Sequence, residues 1–254
     1  MNSQQLITNN PPTSSGQPQQ PTSGATPRQK TQGNAHQDTN NQQPLDKLGA
    51  TQITDYIKAV DLADSSDGLL DAVEALADLQ CEEAIPTLIE VLGFNNPGAA
   101  VSAVEGLINL GIPAVPSLLE QLDGYNYGAR AWAIRALAGI GDPRGLDTLI
   151  KAAREDFSFS VRRAAARGLG NILWSELSPD LRKPHQTRVC ETLIIVSQDG
   201  EWVVRYSVVV GLQGLATQQP ALMGQIKNHL QTWQATEEEL AVRARIQFAL
   251  QSLS

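Results

Sequence analysis

From residue 53 onward the apolar residues of this chain return to one face of a helix, unit after unit. Ile53, Tyr56, Ile57 and Val60 open the pattern at helical spacing and predict a first helix soon after Leu45. A template with apolar or small residues at positions 0, 4, 8 and 11 then matches Gly68, Ala72, Leu76 and Leu79. It matches again at Ala99, Ala103, Leu107, Leu110, and at Ala129, Ala133, Leu137, Ile140. Three more copies follow, at Val161, Ala165, Leu169, Ile172, at Val204, Val208, Leu212, Leu215, and at Val242, Ile246, Leu250, Leu253. Their starts lie 31, 30, 32, 43 and 38 residues apart. A near-constant period of this size is the signature of a solenoid, whose units bury their apolar faces only by stacking on their neighbours.

After each of the first three copies a short break precedes a second helical stretch: Cys81 to Leu88 with Pro86, Ile112 to Leu118 with Pro113 and Pro116, and Asp142 to Leu149 with Pro143. Proline in a first helical turn costs little, because the N–H it lacks would be unpaired there anyway. Each unit is therefore a helical hairpin. The β-branched run VVRYSVVV keeps the register of the other copies and is expected to be helical despite its strand propensity. The longest interval contains LWSELSPDLRKPH, residues 173–185, where Pro179 and Pro184 predict an extended loop.

Composition divides the chain. Residues 1–44 hold ten Gln and six each of Asn, Pro and Thr, with Met1, Leu6 and Ile7 as their only large apolar residues. Such a segment cannot offset the entropy of ordering, so 1–44 is expected to be a disordered tail and 45–254 the repeat domain. The tail carries Arg28, Lys30 and Asp38, so of the formal net charge of -8 the remainder bears -9. An acidic body lacks the basic footprint that nucleic acid requires. No apolar run is long enough to span a bilayer and no secretory leader opens the chain, which makes the cytoplasm the expected compartment.

The two cysteines, Cys81 and Cys190, lie far apart and outside any metal-binding spacing, so no metal is expected. Cys190 sits in an apolar run and reads as a buried, inert thiol, although His185 five residues earlier makes a pair conceivable. No GxSxG, HExxH or phosphate-binding glycine loop is present, so no catalytic residue is assigned.

The distinctive chemistry lies between residues 121 and 170, which concentrate rings and arginines in a chain that is only 5% aromatic. Immediately after the first template position stand Leu69, Ala100, Arg130, Arg162, Arg205 and Arg243. An arginine ladder at one register position has two readings. It bonds the neighbouring unit, with Asp142, Asp147, Asp156 and Asp199 as available partners, or its planar forks bind carboxylates of a ligand or partner. Arg163 and Arg167, one turn apart, are candidates for the second role, with Arg135 facing them if the rotation between repeats allows. Tyr125, Tyr127, Trp132, Trp174, Trp202 and Tyr206 either fill gaps between repeats or stack on a flat conjugated ligand.

Four stretches carry a family resemblance: IPTLIEVLGFNNPGAAVSAVEGL at 85–107, QLDGYNYGARAWAIRALAGIGDPRGLDTLIKAA at 121–153, DFSFSVRRAAARGLG at 156–170 and EWVVRYSVVVGLQGLA at 201–216. The chain resembles the HEAT-like repeat family of phycobilin lyases, in particular the F-type subunits of the two-subunit lyases that act on phycocyanin. The resemblance implies an all-α fold, an alpha-alpha superhelix (HEAT-like repeat solenoid) of about six hairpin units. It also implies a homologous E-type partner subunit, and phycocyanobilin as substrate rather than cofactor. The pair would join the bilin through a thioether to a cysteine of the apo-phycocyanin α-subunit, reversibly or by transfer between apoproteins. The setting would be the cytoplasm of a cyanobacterium or a plastid stroma, beside phycobilisomes at the thylakoid surface. No closely spaced His and Cys of the kind expected in an isomerising relative is present. The alternatives are a scaffold or chaperone for phycobiliproteins without catalysis, or a lyase for a related bilin and apoprotein.

On this reading arginines clamp the bilin propionates and rings hold its plane. The candidates for the bilin or partner surface are Tyr125, Tyr127, Arg130, Trp132, Arg162 and Arg163, then Arg205 and Tyr206. Asp142 is the candidate for polarising a pyrrole nitrogen, with capping of a turn as its other reading.

Overall fold

The computed structural model describes residues 50–122 and 127–254. The segment expected as a tail, and Tyr125, lie outside the described residues. Among the described residues there are twelve α-helices and no strands. α1 (Ala50–Asp61) is the first helix that Ile53, Tyr56, Ile57 and Val60 predict. Five hairpins follow: α2 (Ser66–Asp78) with α3 (Ile85–Val91), α4 (Pro97–Leu110) with α5 (Val115–Gln121), α6 (Tyr127–Ile140) with α7 (Leu146–Glu155), α8 (Phe159–Gly168) with α9 (Pro179–Val196), and α10 (Trp202–Gln218) with α11 (Pro220–Thr236). α12 (Leu240–Ser252) is the sixth first helix and packs on α10 and α11. The first helices stack in one layer, α2 on α4 on α6 on α8 on α10 on α12, with the second helices behind them. The sliding template is the seam of this stack: Leu76, Leu107, Leu137, Leu169 and Leu212, all at position 8, are fully buried.

Local chemistry sets the hairpin corners. Asn96 caps α4 by accepting a hydrogen bond from the Ala99 N–H at 3.1 Å. Its amide also donates to the Ser66 carbonyl at 3.0 Å, tying the start of one unit to the start of the one before. Pro86 and Pro116 stand in the first turns of α3 and α5, each after a single 3₁₀ turn. α6 ends at Gly141 with φ of 73°, a left-handed conformation natural to glycine. A Cβ there would also stand 2.2 Å from the Asn171 carbonyl oxygen.

One expectation fails. Residues 173–185 are not an extended loop: Trp174–Glu176 is a 3₁₀ turn and α9 begins at Pro179. Pro179 sits at the N-terminus, where a missing N–H costs nothing, and Pro184 lies inside the helix, removing the N–H that would bond the Asp180 carbonyl. The loss falls near the exposed end, where Arg182 ties the helix start to the preceding turn, its guanidinium donating to the carbonyls of Leu177 and Ser175 at 2.8 and 3.3 Å. Burial of Val189, Cys190, Leu193 and Val196 holds the rest of the helix in place. The VVRYSVVV run is helical, within α10, as its register predicts.

Candidate functional site

Three of the four ladder arginines, Arg130, Arg162 and Arg205, join units. Arg162 on α8 grips Asp199, ahead of α10, with Nε and Nη2 at 2.7 and 3.0 Å. Its Nη1 donates to the carbonyls of Asp156 and Phe157. Arg205 on α10 repeats the arrangement one unit on, with Glu237 at 2.9 and 2.8 Å and the carbonyls of Asp199 and Gly200. Arg130 on α6 places Nη2 3.1 Å from Asp156 Oδ2, an ion pair in which no N–H points along the line of a hydrogen bond. The three acids, Asp156, Asp199 and Glu237, each stand five residues before a template start. Burial pushes Asp199 up, but the Arg162 bond and the Glu201 N–H outweigh it and hold its carboxyl below the usual range. The Arg205 bond does the same for Glu237 against its burial.

Two more candidates serve the scaffold. Asp142 caps the 3₁₀ turn after α6: it accepts from the Arg144 N–H at 2.8 Å and from that residue's guanidinium at 3.0 and 2.8 Å. Tyr127 donates to Asp156 Oδ1 at 3.1 Å and stacks on Phe157 with ring centres 4.4 Å apart. Burial first, then the neighbouring Asp156 charge, raises its pKa against the effect of Ser158.

The remaining candidates, Trp132, Arg163 and Tyr206, meet in a groove of about 1070 Å³ that runs across α6, α8 and α10. Small-molecule sites offer roughly 300–1,000 Å³, so this one suits a large ligand. Glycine makes its floor. A Cβ on Gly170 would stand 2.4 Å from the Gly211 carbonyl oxygen, and one on Gly168 2.4 Å from the Ala138 Cβ, so the backbones of adjacent helices touch where these residues line the groove. Trp132, Trp202 and Tyr206 form apolar walls, and Arg135, Arg163 and Arg167 place three guanidinium groups along it. Among the described residues none of these three has a carboxylate partner, and Arg135 lies over the Trp132 ring at 5.4 Å.

Arg135 and Arg167 share a register position, the sixth after the template start, whose occupants along the chain are Glu74, Glu105, Arg135, Arg167, Val210 and Phe248. That column changes from acid to base to apolar, and it is the signal that locates the groove. The ladder column beside it is more uniform and marks structure. Outside the groove, Cys190 is fully buried, and burial, with Glu191 adding to it, pushes its thiol up to about 11. It offers no thiolate at neutral pH.

Stacked hairpins with a ring- and arginine-lined groove define an α-solenoid binding protein, and residues 115–213 match the family model of HEAT repeats, residues 70–94 that of the PBS lyase HEAT-like repeat. The chain is 52% identical over 202 residues to the phycobilisome maturation protein of Synechococcus elongatus, covering 79% of this chain and 98% of that one. It is 48% identical over 202 residues to the phycocyanin alpha phycocyanobilin lyase CpcF of Synechocystis sp., with coverage of 80% and 94%. A solved structure, the complex of CpcE and CpcF of phycocyanin lyase from Nostoc sp., matches at 53% identity and a TM-score of 0.63 over 66% of this chain and 98% of that one. This chain belongs to the CpcF family of phycocyanobilin lyase subunits.

Proposed function

We propose that this chain is the F-type subunit of a two-subunit lyase. With a CpcE-like partner it attaches phycocyanobilin to a cysteine of the phycocyanin α-subunit, in the cytoplasm where phycobilisomes are assembled. One observation carries the reading: relatives that bear this activity in their names align over about four-fifths of the chain, in which the groove lies.

The chemistry asks for little beyond what the groove holds. The thiol of the acceptor cysteine adds across the ethylidene double bond of the bilin: a C–S bond forms, the C=C π bond is consumed, and the thiol proton ends on ring carbon. Nucleophile and electrophile both belong to the substrates, so the lyase contributes orientation, exclusion of water and management of one proton. The floor of glycine and alanine lets a flat tetrapyrrole approach the backbone, and Trp132, Trp202 and Tyr206 bound it with rings. The free forks of Arg135, Arg163 and Arg167 match the propionates bidentately.

The test is reconstitution by omission. This chain, an E-type partner, the apo α-subunit and phycocyanobilin are mixed, and bilin fluorescence is read on a denaturing gel. The expected result is a covalent band that requires all four components. A band of equal strength and identical absorption without this chain would leave it a scaffold, not a lyase subunit.

A further inference from the structure

On α12, beside the groove, stands an arginine whose hydrogen bonding is incomplete. Arg245 is partly buried and, like Arg135, Arg163 and Arg167, has no carboxylate partner among the described residues, whereas Arg130, Arg162 and Arg205 each reach an acid supplied by the next unit. Its Nη2 donates to the side-chain oxygen of Gln213, while its Nη1 is buried without any acceptor. The guanidinium lies between two rings, 5.9 Å from the centre of Tyr206 and 5.3 Å from that of Phe248. A buried donor without an acceptor is costly, and more so when it is charged. Burial accordingly pulls the Arg245 pKa down, against the pull of Tyr206.

The position of this group ties it to the groove. Tyr206 lines the groove, and so does Ala241, one helical turn before Arg245 on α12. Both covering rings are themselves open to solvent, Tyr206 by 38% and Phe248 by 59%. Exposed side chains change rotamer in picoseconds to nanoseconds, so either ring can move off the guanidinium without any movement of the backbone. The pocket then presents a fixed cation, an open N–H and a phenol at the edge of a cleft that already carries three unpaired arginines.

We infer that Arg245 is a carboxylate subsite at the α12 end of the groove, with Tyr206 and Phe248 as its cover. The inference rests on the proposed bilin reading, and the ligand group it takes is a propionate of the tetrapyrrole. The carboxylate accepts from Nη1 and supplies the acceptor that the fold withholds. The subsite fixes which way round the tetrapyrrole lies, because only one end of the groove holds it.

The test uses the full chain in complex with its E-type partner, phycocyanobilin and phycocyanobilin dimethyl ester, followed by absorption titration. Wild type should prefer the free acid, and Arg245→Gln should bind the acid about 10-fold more weakly while its affinity for the ester stays unchanged. Should Arg245→Gln lose its circular dichroism signal, Arg245→Lys, which keeps the charge and removes the fork, should still show a selective loss for the acid. Equal loss for acid and ester, or no loss at all, would overturn the subsite while leaving the groove as the bilin site. Failure of wild type to bind either compound would overturn the groove reading as well.

Discussion

Arg162 and Arg163 are neighbours in sequence with opposite roles. The Arg162 side chain is 17% exposed and locked to Asp199, while Arg163 opens into the groove without a carboxylate partner. Arg162→Gln leaves a nearly buried carboxylate without its cation and should cost about 2 kcal/mol in urea unfolding. Arg163→Gln should change stability by less than about 0.5 kcal/mol. The pH dependence follows with a definite sign. Asp199 and Glu237 have folded pKa values below their unfolded ones. Their contribution is therefore complete above about pH 4 to 5, and is lost as pH falls through the lower folded values. Arg162→Gln should flatten this acid-side loss, because Asp199 then loses its main reason to stay ionised. The ladder was legible in the sequence as a column of arginines, and Asp156 and Asp199 were among its expected partners. Glu237 was not, because the wider last interval and the longer side chain hide its place five residues before a template start.

Small residues decide how closely the helices stack. The contact of α8 and the 3₁₀ turn after it (Leu169–Asn171) with α10 depends on Gly170, Gly211 and Gly214, where a Cβ would stand 2.4, 2.4 and 2.6 Å from backbone oxygens across the seam. Gly170→Ala must push two backbones apart and should cost roughly 2 kcal/mol or more. Gly224, exposed in α11 with nothing within 4 Å of its Cβ position, serves as the control. Gly224→Ala should raise stability by about 0.5–1 kcal/mol, both changes being read as shifts of the unfolding midpoint. Helices were legible wherever period outweighed composition, as in α10, which is rich in valine. α9 was not, because Pro179 and Pro184 read as breakers, and sequence does not show that one stands at the first turn while the other falls near the exposed end of a helix held by its buried residues. The groove is harder still to read. Its floor consists of glycines whose significance is the approach of a backbone some forty residues away.

Across the whole molecule, an acidic body of net -9 in residues 45–254 carries three arginines along one groove, none with a carboxylate partner among the described residues. Along the face that forms the groove, position 6 of successive units runs from Glu74 and Glu105 through Arg135 and Arg167 to Val210 and Phe248. The column thus turns from negative in the first units to positive at the middle of the stack, which, on the proposed function, favours a dianionic tetrapyrrole there. Among the described residues no single helix is long and apolar enough to cross a membrane, and the one pair of helices that passes together is bent by 115°. The most direct measurement of the central claim is the initial rate of covalent bilin attachment by the two-subunit complex, wild type against Arg163→Gln/Arg167→Gln. These arginines line the groove and carry no ion pair among the described residues. The account predicts a rate lower by at least about 10-fold at an unchanged unfolding midpoint. An unchanged rate in a folded double variant would contradict it.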